Sequence, residues 1–293
     1  MSSSTAGLRP RSRTLLHRRK AVNAVMLSLT LVCTVITVSA LFLILGYLLW
    51  NGGKSLDWDF FTKLPRSPGE NGGGMANAII GSAKMVLLAA LIGVPVGFMA
   101  GVYASEFGGK TMGFLVRYTA DLLNGVPSIV IGIFAWSLVV VPMHGFSAFA
   151  GGVALSLMVI PITMRATEQF LQQVPLALRE GSLALGASKW RTIASVVVPA
   201  ARTGILTGVI LGVARVTGET APLLFTALNN QYWSSGWVQP TASLPVMIYT
   251  HAQSPYEDWH RQAWAAGLVL LTLVLVANIA ARMVLARGPA ASR

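Results

Sequence analysis

Between Thr203 and Leu228 the chain carries an apolar stretch of membrane-spanning length with two charges, Arg215 and Glu219, near its middle. A charge at bilayer depth costs about 2.5–3.5 kcal/mol even on the lenient insertion scale, so such residues face a protein interior or an aqueous path. Read as one helix at about 100° per residue, with Gly204 at zero, Gly208 falls at about 40°, Gly212 at about 80°, Arg215 at about 20° and Glu219 at about 60°. The five share a stripe, and a Gly-xxx-Gly-xxx-Gly row admits the backbone of a neighbouring helix. The charges therefore point into a helix bundle. Pro222 follows on the same stripe and frees the carbonyl of Gly218 beside them, which suits a polar station on a route through the membrane. A neutralised i, i+4 pair of purely structural use is the plainer alternative.

Composition agrees. Of 293 residues, 54% are hydrophobic and 11% charged, which excludes a soluble domain and a disordered chain. The net charge of +12 would suit nucleic acid in a soluble protein; here it follows the basic residues that flank membrane spans, so membrane lipid is the expected partner and nucleic acid is not. Cys33 is the single cysteine, so no intrachain disulfide can form, and His17, His144, His251 and His260 lack metal-ligand spacing and read as interfacial or solvated.

Residues 1–20 hold six Lys and Arg and no acid, a disordered basic tail. The apolar run 22–50 is longer than a signal-peptide core and continues past the small-residue site at Val38-Ser39-Ala40, so it reads as a retained first helix. A polar loop, 51–74, ends in a flexible hinge at Gly72-Gly73-Gly74. The second span, 76–105, has its own glycine row at Gly93, Gly97 and Gly101; Lys84 within it either snorkels to the headgroups or attracts anions. The third, 111–141, opens with an i, i+4 pair, Arg117 and Asp121, and is interrupted at Gly125-Val126-Pro127-Ser128. The fourth, 150–164, ends at Arg165. Segment 229–261 is dense in Trp and Tyr, as in a membrane-surface belt; within it 244–249 is too short to cross, and the sixth span covers 262–285. Six spans put both termini on one side. That side receives fifteen of the 22 Lys and Arg residues against four on the other, which places both termini in the cytoplasm.

The longest inward connection, 165–202, contains EGSLALGASKWRTIASVVVP from Glu180 to Pro199. Leu183, Leu185, Trp190 and Ile193 beside Lys189 and Arg191 suit an amphipathic helix that lies on the membrane or docks a partner. Glu180, Gly186, Ile193 and Pro199 stand at the spacing of the E-A-A, Gly, hydrophobic-x-Leu-Pro loop of ATP-binding-cassette (ABC) importer membrane subunits, with Gly181-Ser182 in place of the Ala pair and Val198 in place of Leu. The chain resembles that family. The resemblance implies an all-α integral membrane protein with six transmembrane helices, type I ABC-importer permease architecture and a cytoplasmic coupling-helix loop seated on an ATPase. It divides the chain into a basic tail (1–20), a first helix with its external loop (21–70), the permease core (71–286) and a cytoplasmic C-terminus (287–293).

A narrower likeness covers most of the chain. GGGMANAIIGS (72–82), PSIVIGIF (127–134), PITMRATE (161–168) and ARVTGETAPLLFTALN (214–229) resemble the A-type permeases of the phosphate-specific transport system. The likeness implies that Arg215 works in phosphate translocation, with Arg165 as a further pathway residue. It implies as partners a homologous permease of the C type, two cytoplasmic ATPases of the B type and an external phosphate-binding protein of the S type, in the bacterial cytoplasmic (plasma) membrane. The chemistry agrees: a guanidinium offers phosphate a fixed fork of donors. Glu219 one turn away would offset that charge and accept a hydrogen bond from protonated phosphate, keeping binding weak enough for release.

ATP hydrolysis is not expected of this chain. Gly53-Lys54-Ser55 and Gly109-Lys110-Thr111 mimic the end of a phosphate-binding loop, but Leu48 and Ala104 stand where its first glycine belongs. The chain is expected to be a transporter subunit and not an enzyme, holding no cofactor or metal and no catalytic residue, with ATP and Mg on the partner ATPase. The rival readings are a permease for another oxyanion and an autonomous anion channel or ion-coupled carrier. A membrane phosphatase would need a nucleophile beside a base, and no expected span holds a histidine.

Overall fold

The computed structural model describes residues 13–286; the first part of the expected tail, 1–12, and the expected C-terminus, 287–293, lie outside them. Two compact units divide the chain, Met1–Trp50 and Asn51–Arg293. The first consists of helix α1 (Arg13–Lys54), whose last turn enters the second unit. It is 42 residues long, about 63 Å at about 1.5 Å per residue, with exposed apolar side chains. Arg18, Arg19 and Lys20 belong to its first turns and not to a disordered tail, since Arg, Lys and Leu are good helix formers.

The second unit begins with α2 (Trp58–Thr62), capped by the Asp57 carboxylate, which accepts from the Phe60 N–H at 2.8 Å. The triglycine that follows is no hinge. Gly73 has φ +93°, Gly74 N–H donates to the Leu64 carbonyl at 3.0 Å, and Met75 N–H to that of Phe60 at 2.9 Å. A Cβ on Gly74 would collide with the Asp59 carbonyl. Phe60 and Met75 sit in one core with Leu244, Met247, Ala265 and Ala266, so the segment grouped with the first helix in the sequence folds with this unit and not with α1.

Helix α3 (Ala76–Val102) passes through a π turn, Tyr103–Phe107, towards α4 (Thr111–Gly125). The expected third span is not one helix: α5 (Ser128–Ala135) leaves α4 at 104°. Val126 and Pro127 are extended, with ψ of 130° and 137°, as a proline demands of the residue before it. A second π turn, Trp136–Val140, and α6 (Val141–Met143) complete that arm. Helix α7 (Ala148–Gln172) begins at the Ser147 cap and runs two turns past Arg165. Then come α8 (Leu176–Ala184), α9 (Lys189–Thr192), a π turn at Ile193–Val197 and α10 (Val198–Thr217). Because α7 ends late and the run from Lys189 starts early, the inward connection shrinks from the expected 165–202 to residues 173–188. Helices α11 (Ala221–Thr226), α12 (Leu244–Ala252) and α13 (Glu257–Ala286) finish the fold. Among the described residues five helices are long and apolar enough to cross a membrane, and six if the bent pair counts as one. The protein is an all-α integral membrane protein.

Both glycine rows close on α7. Cβ atoms at Gly93, Gly97 and Gly101 of α3 would lie 2.8 Å from Val159 Cβ, 2.5 Å from the Ile160 carbonyl and 2.6 Å from that of Met164. From the other side Gly204, Gly208 and Gly212 of α10 face Phe170, Ala166 and Ile162. With lipid tails as apolar as the side chains, this close approach is what holds such helices together.

The aromatic segment is a threaded loop, although Tyr232, Trp233 and Trp237 remain exposed. Asn77 Nδ2 donates to the Asn230 carbonyl at 2.7 Å, Ala148 N–H to that of Gln239 at 3.1 Å, and Leu244 N–H to Ser82 Oγ at 2.8 Å. Lys84 of α3 is engaged by this loop: its Nζ donates to the Ser234 carbonyl at 2.8 Å. Helix α12, outside the spanning helices, carries buried Leu244, Val246 and Met247. Its His251 is buried and not solvated, with Nδ1 3.1 Å from the Met247 carbonyl and its ring 4.3 Å from that of Trp259.

The obstacle met by each glycine predicts its tolerance. Gly97→Ala confronts backbone and is expected to cost about 3 kcal/mol, whereas Gly204→Ala meets only the Phe170 ring, which can turn, and should cost less; thermal unfolding of the solubilised protein separates the two. Burial lowers the His251 pKa from 6.5 to about 4. The neutral ring therefore stabilises the fold above pH 6.5, and that contribution drains away as pH falls from 6.5 towards 4. The thermal midpoint should drop through this window in the wild type and less steeply in His251→Gln.

Candidate functional site

Two helix breaks face each other across the middle of α7. One is the extended Val126-Pro127 joint between α4 and α5. The other ends α10: Gly218 N–H bonds the Arg215 carbonyl at 3.3 Å, Glu219 N–H that of Val216 at 3.1 Å, and a new helix starts with Pro222 in its first turn. The expected single helix 203–228 is thus two. Pro222 does not distort a continuing helix; it opens α11, where its missing N–H costs nothing. The breaks are locked together at Gly132, where a Cβ would sit 2.8 Å from Pro222 Cα.

Between them lies a cleft of about 210 Å³, floored by Met158, Pro161 and Ile162 of α7. Arg215 and Glu219 line one wall, Asn124 and Ser128 the other. Gly204, Gly208 and Gly212 keep the expected stripe against α7, and Arg215, beyond them on α10, is exposed on the cleft. No hydrogen bond or ion pair joins Arg215 to Glu219, and among the described residues none occupies the side chains of Asn124 or Ser128 either. The expected i, i+4 pair is absent because the helix ends between its members, at Gly218. Asn124 escaped the sequence reading, and Ser128 entered it only as the end of the Gly125-Val126-Pro127-Ser128 interruption; that interruption was the signal, since it pairs a helix C-terminus with a helix N-terminus.

The other deep charges are paired, and not as spacing suggested. Arg117 does not pair with Asp121. Its Nε donates to Glu168 and its Nη2 to the Ala104 carbonyl at 2.8 Å, while Arg165 takes Asp121 through Nε at 2.8 Å and again through Nη2. Arg165 Nη1 also reaches Glu168 Oε2 at 3.0 Å, and Gln172 Nε2 donates to Oε1 at 3.2 Å. Glu168, its side chain 3% exposed, is the centre of this neutral chain of two guanidiniums and two carboxylates. It stands in the PITMRATE motif three residues after Arg165, yet intrahelical spacing gave no hint of its partner on α4.

The four docking-loop residues divide. Glu180 is exposed on α8, and Gly186 is exposed with φ +83°, a left-handed conformation that suits glycine. Ile193 is buried with Leu171, Val197, Ala201 and Ile205, so it anchors the segment and presents nothing outward. Pro199 is exposed in the first turn of α10. Around them Leu176, Leu183, Leu185 and Trp190 stand exposed, Leu185 at 90%. Among the described residues no cluster of His, Cys, Asp and Glu is placed to hold a metal ion.

Residues 93–287 match the family of binding-protein-dependent transport system inner membrane components. The phosphate transport system permease protein PstA of Yersinia pestis is 41% identical over 94% of this chain and 96% of its own, and that of Xylella fastidiosa 44% identical over 94% and 97%. Among solved structures, a bacterial importer of the acidic polysaccharide alginate superposes with a TM-score of 0.60 at 15% identity, covering 90% of this chain and 99% of its own. An inward-facing methionine ABC transporter gives 0.53 at 19%, covering 71% and 91%. At these identities the solved structures speak for the fold alone.

Removing Glu168 should leave Arg117 without a carboxylate in a partly buried site, while Arg165 keeps Asp121. Glu168→Ala is expected to cost about 3 kcal/mol, whereas Asp121→Ala, whose side chain is 59% exposed, should cost less than about 1 kcal/mol; thermal unfolding of both variants checks the contrast.

Proposed function

The chain belongs to the binding-protein-dependent transport system inner membrane components, and on that footing we propose how it serves as the membrane permease subunit of an ATP-driven phosphate importer. The observation that carries the reading is the cleft: the Arg215 guanidinium and the Glu219 carboxylate, without partners among the described residues, beside two facing helix breaks, while Arg117, Asp121, Arg165 and Glu168 neutralise one another. Irregular backbone at membrane depth is tolerated where it lines a cavity. A tetrahedral oxyanion would take hydrogen bonds from Arg215, Asn124 and Ser128, while Glu219 would accept from a protonated phosphate oxygen and hold the affinity low enough for release. The chain supplies half the pathway, and a homologous permease of the C type closes the open side of the cleft.

Arg165 serves as a second, inner station. Its guanidinium is engaged by Asp121 and Glu168, so it becomes available to the anion only if those carboxylates let go. The exposed leucines and Trp190 around Glu180 and Gly186 form the face that docks a cytoplasmic ATPase. Two ATPases bind ATP and Mg, an external phosphate-binding protein delivers the substrate, and this chain holds no cofactor. Both termini lie in the cytoplasm, by the placement of Lys and Arg.

The test is radiolabelled phosphate uptake by the assembled complex, with sulfate and arsenate as competitors. Arg215→Gln should abolish uptake, and Arg215→Lys should lower it about tenfold or more, since a point charge replaces a fork whose charged hydrogen bonds are worth about 1.5–3 kcal/mol each. Normal uptake by a correctly assembled Arg215→Gln complex would remove the cleft from the pathway. Sulfate competing as well as phosphate would assign the permease to another oxyanion.

A further inference from the structure

The docking segment is fastened to α3 at one turn. Where Tyr103–Phe107 leaves the α-helix as a π turn, it turns Glu106 inward, its side chain 6% exposed. Arg179 of α8 places Nη1 2.6 Å from both Glu106 carboxylate oxygens and Nη2 2.6 Å from the Leu171 carbonyl at the end of α7. On the far side of the segment, Lys189 of α9 donates from Nζ to the Glu106 main-chain carbonyl at 2.5 Å. The same Nζ lies 4.7 Å from the centre of the Phe107 ring, which packs on Trp190 at 6.5 Å. Two consecutive residues thus grip both ends of the exposed stretch 180–188, one through a buried carboxylate and the other through an aromatic face.

This grip fixes where a push on α8 goes. Arg179 Nη1 is shared between the two Glu106 oxygens while Nη2 is held by the Leu171 carbonyl, a charge-assisted contact, so α8 cannot shift without dragging Glu106 or leaving a buried carboxylate unpaired. Glu106 ends the continuous run from Ala76 to Phe107, whose glycines are set against α7 beneath the cleft. The π turn is the place in that run where the hydrogen-bond ladder already departs from α-helix, and such turns concentrate at functional sites. We infer that Glu106 is a positioning residue for transport, the link through which movement of the docking segment reaches α3. The inference rests on the importer reading above.

The experiment uses the whole complex, with permease partner, ATPases and binding protein, in proteoliposomes, with phosphate uptake and ATP hydrolysis measured in the same vesicles. Glu106→Gln keeps the size of the side chain and removes the charge that orients Arg179. The ATPase subunit should still co-purify and ATP should still be hydrolysed, while phosphate taken up per ATP falls by about tenfold or more, within the usual range of coupling between distant sites. Arg179→Lys should do the same, because one ammonium on a flexible stem cannot span Glu106 and the Leu171 carbonyl as the planar guanidinium does, and Glu106→Asp should recover part of the loss. Unchanged uptake per ATP in Glu106→Gln overturns the inference. So does loss of the ATPase subunit with both activities falling together, which would make the turn a mere support for the docking surface. A wild-type complex without ATP-driven phosphate uptake overturns the importer reading itself, and the inference with it.

Discussion

Helix α7 is clasped on both sides by glycine, and the rest of the molecule is arranged around that contact. Inside a bilayer, apolar side chains gain little by leaving lipid for protein, so helices associate where their backbones can come close. Gly93, Gly97 and Gly101 supply that closeness from α3, and Gly204, Gly208 and Gly212 from α10. The result is a three-helix stack with little room to deform, since close-packed interiors shift between discrete arrangements more readily than they stretch.

The breaks are placed against this rigid stack. Val126-Pro127 and Gly218 interrupt two neighbouring helices at the level of Pro161, and Gly132 under Pro222 brings the two interruptions together. Neither interruption alone would make a site. Facing each other, they expose polar side chains and backbone to a cavity floored by the helix that both glycine rows clasp. Further along α7 the Arg117, Glu168, Arg165 and Asp121 chain cancels its own charge. Charges are thus paired with one another in one place and left open on a cleft in another.

Local signals carried a large part of this. The glycine rows were visible as i, i+4 repeats, and both found the close neighbour they imply. Of the four residues at the loop spacing, Glu180, Gly186 and Pro199 are exposed, and Ile193 is a core residue whose hydrophobicity serves the fold. Legibility ended wherever a residue's partner lay on another helix. Arg117 and Asp121 are one turn apart on α4, yet each binds a residue of α7. Lys84 caps a loop 150 residues away, and the triglycine that looked like a hinge is fixed by carbonyls of the preceding turn.

Membrane residence, the all-helical fold and the glycine rows were thus legible along the chain, because each depends on composition or on a period of a few residues. Which carboxylate meets which guanidinium, where the helices stop and which arginine stays free were settled only in three dimensions. Those outcomes turn on the rotation and depth of one helix against another. Backbone contact at the glycines sets both, and no window of neighbouring residues contains that information.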